Sequence, residues 1–153
     1  MTERQSKTQS ATTESPVERA RRAAQALYEG DRASHTLGIQ LLEVSPGGAR
    51  MSMPIRADMV NGHRICHGGL VFALADTAFA FACNSYGDNT VAAAASIDFL
   101  APAREGDELT ATARELWRSR RSGLYEIDVT NQRGERIALF RGRSQRISGQ
   151  LIE

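Results

Sequence analysis

The sequence predicts an α+β domain, with one helix lying on an antiparallel sheet. Two observations carry this. From Leu37 onward, strand-like runs are joined by hairpin-sized connections, which favours antiparallel pairing. Between the second and third runs lies Leu70–Cys83, helix-length and apolar almost all round, with Asp76 as its single charged residue. A helix with no polar face belongs inside a core. No internal repeat and no glycine-rich phosphate loop points elsewhere.

Residues 1–15 are rich in Thr, Ser and Gln and poor in apolar residues. They predict a disordered tail without the apolar segment of a secretory signal. Residues 16–153 then form a single domain. Ser15-Pro16-Val17-Glu18 reads as a helix start: Ser15 caps, Pro16 fits the first turn, and Glu18 completes a capping-box spacing. This extra N-terminal helix runs through Ala20, Ala23, Ala24 and Leu27 and stops at Gly30. Asp31–Thr36 reads as a connector. Leu37–Val44 and Ala49–Pro54 flank Ser45-Pro46-Gly47-Gly48, a strong turn signal, and predict a hairpin. A loop from Ile55 to Gly69 leads into the apolar helix, which ends at Asn84, Ser85 and Gly87.

Four strands follow. Val91–Leu100 alternates, with Val91, Ala93, Ala95, Ile97 and Phe99 on one face. Glu108–Trp117 groups Leu109, Ala111 and Ala113. Leu124–Thr130 groups Tyr125, Ile127 and Val129. Arg136–Ile147 is the last. Glu105-Gly106-Asp107, the basic stretch Arg118–Gly123, and Asn131–Glu135 are the turns between them. In the buried helix, Ala73, Ala75, Ala78, Ala80 and Ala82 let its backbone approach the sheet closely.

The chain has 153 residues, enough for one domain with a real core. A net charge of +1 points to neither nucleic acid nor membrane. No apolar run reaches the roughly 18–20 residues of a membrane span. Two cysteines, Cys66 and Cys83, make no disulfide framework and predict reduced thiols in a cytoplasmic protein.

Candidate chemistry gathers at the loop and the apolar helix. A lone carboxylate among apolar residues is costly unless it is paired, hydrogen-bonded or used. Asp76 therefore reads either as a nucleophile or general base, or as a structural acid bonded to backbone. Gly68 and Gly69 stand where the helix begins. Free N–H groups there, with the positive end of the helix dipole behind them, suit an acyl oxyanion. The same glycine pair also suits a simple tight turn. His67 and Asn61 flank this point and read as substrate-orienting or structural. His63, Cys66 and His67 include zinc-type ligands, but adjacent Cys66 and His67 seldom face one ion and no fourth ligand stands out, so no metal is expected. Cys66 as nucleophile would need a partner base. Arg118, Arg120 and Arg121, with Arg104, Arg141, Arg143 and Arg146, suit the phosphates of a nucleotide such as coenzyme A, or simply a solvated turn.

The run Asn61-Gly-His-Arg-Ile-Cys-His67-Gly68-Gly69, followed by Asp76 and then by Ala-Phe-Ala-Cys-Asn-Ser-Tyr86, resembles the phenylacetic acid degradation thioesterases. These are a branch of the hotdog-fold acyl-CoA thioesterases. The resemblance continues through Ala95-Ser-Ile-Asp-Phe-Leu-Ala-Pro102 and Val129-Thr-Asn131, and covers about residues 25–148. An Asp rather than a Glu at position 76 favours this branch over menaquinone-pathway relatives. The resemblance implies a hotdog fold, an antiparallel sheet wrapped around one long helix. It implies hydrolysis of phenylacetyl-CoA or a hydroxylated aryl-acetyl-CoA to the free acid and CoA, with no further cofactor. Asp76 would attack the thioester or activate water, and the Gly68 N–H would polarise the carbonyl. Asn61 and His67 would hold substrate and water, with Thr77 near the reacting centre. Coenzyme A would lie near Gly69, near Pro102-Ala103-Arg104, along the Arg120-Arg121-Ser122 turn and near Arg143. A homotetramer, a dimer of dimers with sites between subunits, is implied as well. A non-catalytic acyl-CoA-binding module, or a thioesterase for another acyl group, is the alternative. Gly68 and Asp76 lie ~12 Å apart along one helix at 1.5 Å per residue, an independent reason to expect a site shared between chains.

Overall fold

Residues 13–153 are described by a computed structural model. The chain runs α1 (Pro16–Gly30), α2 (Arg32–Leu37), β1 (Gln40–Ser45), β2 (Gly48–Pro54), a 3-10 turn at Ala57–Met59, α3 (Gly68–Cys83), β3 (Asp88–Phe99), β4 (Glu108–Arg118), β5 (Ser122–Thr130) and β6 (Arg136–Gln150). The six strands form one antiparallel sheet in the order β1-β2-β4-β5-β6-β3. The sheet wraps α3, which is the hotdog arrangement.

The capping box forms as expected. The Glu18 N–H donates to Ser15 Oγ, and the Ser15 N–H donates back to the Glu18 carboxylate. Of the expected tail, residues 1–12 lie outside the described residues. Glu14 is not loose: it forms ion pairs with Arg19 and Arg22.

The core lies between α3 and the concave face of the sheet. Leu109, Ala111 and Ala113 of β4 and Tyr125, Ile127 and Val129 of β5 are all buried against it. Phe79 of α3 packs between Tyr125 and Phe140, with ring centroids 5.5 and 5.9 Å away. Gly142 makes this possible, because a Cβ there would stand 2.8 Å from the Phe79 ring. The small residue that brings helix and sheet together is thus on β6 as well as on the helix.

Three expectations need correction. Asp31–Thr36 is not a plain connector, because α2 occupies most of it. Asp31 caps α2 through the Ser34 N–H, and Gly38 ends it in the left-handed region at φ 71°. Leu37 therefore belongs to α2 and not to β1. In β3, a register shift between Ala92 and Ala94 breaks the alternation. Ala92 opposes inward-facing Ser144, whereas Ile97 opposes buried Phe140. Val91 thus lies on the face opposite Ile97 and Phe99. Finally, α3 is not enclosed all round. Ala73, Asp76, Thr77 and Ala80 are only half-buried, because the sheet covers one side and short α2 covers little of the other. Alanines on that open side hid it from the sequence.

Candidate active site

The candidate residues are strung along α3 in three groups, at its start, its middle and its end. Sixteen residues make this helix about 24 Å long.

At the start, the segment Asn61–His67 is a tight loop closed by a bridge between Val60 and Cys66. Asn61 holds it. The Asn61 Oδ1 accepts the N–H groups of His63 at 2.9 Å and Ile65 at 3.4 Å. Arg64 adopts a left-handed φ of 59° inside this loop. His67 is the N-cap of α3, and its Nδ1 accepts the Gly69 N–H at 3.0 Å. The Gly69 N–H is therefore committed to the cap. The Gly68 N–H meets no acceptor among the described residues, so the one free donor of the glycine pair is that of Gly68. Phe99, at the end of β3, lays its ring over Gly68, with Cζ 3.0 Å from where a Cβ would be. The turn at Pro102-Ala103-Arg104 joins this end, since the Cys66 N–H donates to Ala103 O at 2.7 Å.

In the middle, Asp76 borders a recess of about 270 Å³ between α3 and α2, lined also by Ala73, Thr77, Ser34 and Leu37. The second carboxylate on this recess, Asp31, is spent on the N–H and hydroxyl of Ser34. The Thr77 hydroxyl donates to Ala73 O at 2.7 Å. No donor reaches the Asp76 carboxylate among the described residues. Partial burial, with no cation to offset it, holds its carboxyl above the usual carboxylate range.

At the end of α3, the turn between β4 and β5 forms a polar pit with Cys83, Tyr86, Tyr125 and Ser144. Arg120, Arg121 and Ser122 are at this pit, together with Arg118 and Arg146. Arg143 is not: it alternates with Gly142 and Ser144 and opposes Leu124 on the other face of the sheet. Arg104 is not there either. It stands before β4, whereas Arg120 follows it, and eleven strand residues span roughly 35 Å. One protomer cannot bring both to one phosphate.

His63, Cys66 and His67 do not converge, and no group of three metal-ligating side chains gathers among the described residues. Cys66 is buried, and burial pushes its thiol up to about 11, which keeps it protonated and weakly nucleophilic near neutral pH. Sequence reasoning missed Glu115. Its signal was present, because it continues the inward series Leu109, Ala111, Ala113.

A thioesterase superfamily model matches residues 63–138. The chain is 49% identical over 126 residues to the acyl-coenzyme A thioesterase PaaI of Escherichia coli K12, covering 82% of this chain and 90% of that protein. It belongs to the thioesterase superfamily. Within that superfamily, it is also 34% identical to a putative esterase of Archaeoglobus fulgidus, over 80% of this chain and 79% of the relative. The solved structure of E. coli PaaI, from the phenylacetic acid degradation operon, superposes with a TM-score of 0.88 at 47% identity, over 89% of this chain and 99% of that one. A mutant phenylacetic acid degradation protein PaaI from Thermus thermophilus gives 0.74 at 37% identity, over 76% of this chain and all of that one (100%). The matched region, residues 63–138, holds the loop from His63 onward, the helix start, Asp76 and the arginine turn, and Asn61 lies just before it.

Proposed function

We propose that this superfamily member is an acyl-coenzyme A thioesterase acting on phenylacetyl-CoA or a ring-hydroxylated aryl-acetyl-CoA. The observation that carries the reading is Asp76: among the described residues, a carboxylate with no bonded donor, on the wall of a recess, in a helix whose first N–H meets no acceptor. The likeness to PaaI proteins supports the acyl group. In this reading the Gly68 N–H receives the thioester carbonyl and stabilises the oxyanion as negative charge develops there. Asp76 either attacks the carbonyl carbon or takes a proton from the attacking water. The C–S bond breaks, the thiolate of coenzyme A leaves and is protonated, and water supplies the acid's second oxygen. His67 and Asn61 act by holding the glycine loop, and Thr77 borders the reacting centre. The phosphates of coenzyme A meet the Arg120-Arg121-Ser122 turn of one chain and Pro102-Ala103-Arg104 of another. The site then lies between subunits of a homotetramer, in the cytoplasm. No helix among the described residues is long and apolar enough to cross a membrane.

The test is thiol release from phenylacetyl-CoA by purified protein. Asp76→Asn keeps the side-chain volume and removes the base, so turnover falls by about 10² to 10⁴. Unchanged turnover in a folded Asp76→Asn protein would overturn the assignment. Binding of acyl-CoA with no thiol release by the wild type would make the protein a binding module.

A further inference from the structure

Beneath the arginine turn lies a carboxylate on the wrong side of the sheet for a charge. Glu115 faces inward with Ala111 and Ala113, and its side chain is only 24% exposed. A register shift between Glu115 and Trp117 holds it there, with Glu115 opposite Tyr125 and Trp117 opposite Leu124. One oxygen, Oε2, accepts the hydroxyl of Tyr86 at 3.0 Å and that of Tyr125 at 2.9 Å. The same oxygen lies 3.7 Å from Arg118 Nε. The Arg118 guanidinium stacks on the Tyr86 ring, 3.6 Å from its centroid. Gly47 of the β1–β2 turn closes the cluster, since a Cβ there would stand 3.0 Å from both Tyr86 Oη and Glu115 Cβ.

This arrangement sorts the arginines around the pit. Arg118 is occupied by Glu115 and Tyr86, and Arg146 is paired with Asp88 at 2.8 Å. Arg120 and Arg121 pair with no carboxylate among the described residues. The backbone under them is fixed: the Ser119 hydroxyl accepts the N–H groups of Arg121 and Ser122, and the Arg146 N–H donates to Arg121 O. Two cations are thus held back as walls and two are presented on a rigid turn.

We propose that Glu115 is a positioning residue for phosphate recognition at the β4–β5 turn. It holds Arg118 against Tyr86, and so leaves Arg120 and Arg121 as the groups that meet the phosphates of coenzyme A. Glu115 does not itself touch the ligand. With two hydroxyl donors and a guanidinium gathered on it, Oε2 is committed to the cluster. The inference rests on the reading that coenzyme A phosphates meet this turn.

The experiment compares one acyl group on coenzyme A and on pantetheine, which lacks the nucleotide phosphates. The readout is the ratio of kcat/KM for the two thioesters. Glu115→Gln keeps the volume and removes the charge, and Tyr86→Phe removes one donor and leaves Glu115 in place. Both are expected to lower the ratio by about threefold to tenfold through KM for acyl-CoA. Arg120→Ala/Arg121→Ala is the control for the phosphate reading, and should lower the ratio further. If the arginine variant lowers the ratio while Glu115→Gln and Tyr86→Phe leave it unchanged, the proposal falls and the phosphate reading stands. A loss in Glu115→Gln that is equal for both thioesters would make Glu115 merely structural and overturn it as well. If the arginine variant leaves the ratio unchanged, the phosphate reading fails, and the proposal with it.

Discussion

In the proposed reading, Asp76 would serve the chemistry at the expense of the fold. Its carboxyl is held above the ordinary range by burial, so the native state binds that proton more tightly than the unfolded chain does. Stability therefore falls as pH rises from the ordinary carboxylate range through the raised native value. If Asp76 is the catalytic acid proposed above, activity runs the other way, because attack or proton abstraction needs the ionised form. Asp76→Asn is expected to raise Tm by about 2–4 °C at pH 7 while abolishing thiol release. Near about pH 3, where both states hold the proton, the wild-type and variant melting curves should converge. Differential scanning calorimetry across that range checks the sign. At the start of the helix, Gly68 offers a sharper probe by proline than by alanine. It is the first helical residue, and His67 before it has φ −57° and ψ 129°, which a following proline accepts. Gly68→Pro deletes only the free N–H, and the exposed Phe99 ring can shift to admit the proline ring. The expected loss in kcat is about 10² to 10³, measured with the melting temperature as a control.

The elements were largely legible in the sequence, and for identifiable reasons. Helix α1 announced both of its ends through Ser15, Pro16, Glu18 and Gly30. Strands β4 and β5 showed clean alternation because one face is buried and the other is open. Helix α2 was missed although Asp31 and Gly38 mark its ends, because six residues are too few for a periodic signal. The β3 bulge was missed because Ala92, Ala93 and Ala94 look the same from either face. Of the candidate site, the residues were readable and their grouping was not. In β6, alternation puts Arg143 and Arg146 on opposite faces of the strand, but it does not say which face meets the pit. The turn at 102–107 shows how much one side chain can hold at this scale. Asp107, with its side chain only 7% exposed, accepts the Arg104 N–H at 2.8 Å and the Gln132 amide at 2.9 Å. These bonds and Arg133 keep its carboxyl below the usual range. Asp107→Ala leaves two donors unpaired and should destabilise the protein by about 2–3 kcal/mol in urea unfolding.

Across the whole molecule, the sheet ends in an unfinished edge. Strand β3 is twelve residues long and, among the described residues, pairs only with β6 and has no neighbour on its other side. A long open edge is a template for another chain. In the proposed reading, the separation of Gly68 from Asp76 would call for a partner chain from the side of the chemistry as well. If each site takes its oxyanion donor from one chain and its acid from the other, two dead proteins can make a live one. Mixing Gly68→Pro with Asp76→Asn under conditions that exchange subunits is expected to restore about a quarter of wild-type activity, from random pairing into dimers. Unmixed samples should stay inactive, and sites complete within one chain would leave the mixture inactive too.

The open β3 edge also bears on how the protein behaves when it is scarce. A monomer lacking its edge partner would also lack half of every site, so catalysis would become a property of encounters. Specific activity per milligram would then fall as the solution is diluted past the dissociation constant, and would return on addition of inactive Asp76→Asn chains that carry no acid of their own.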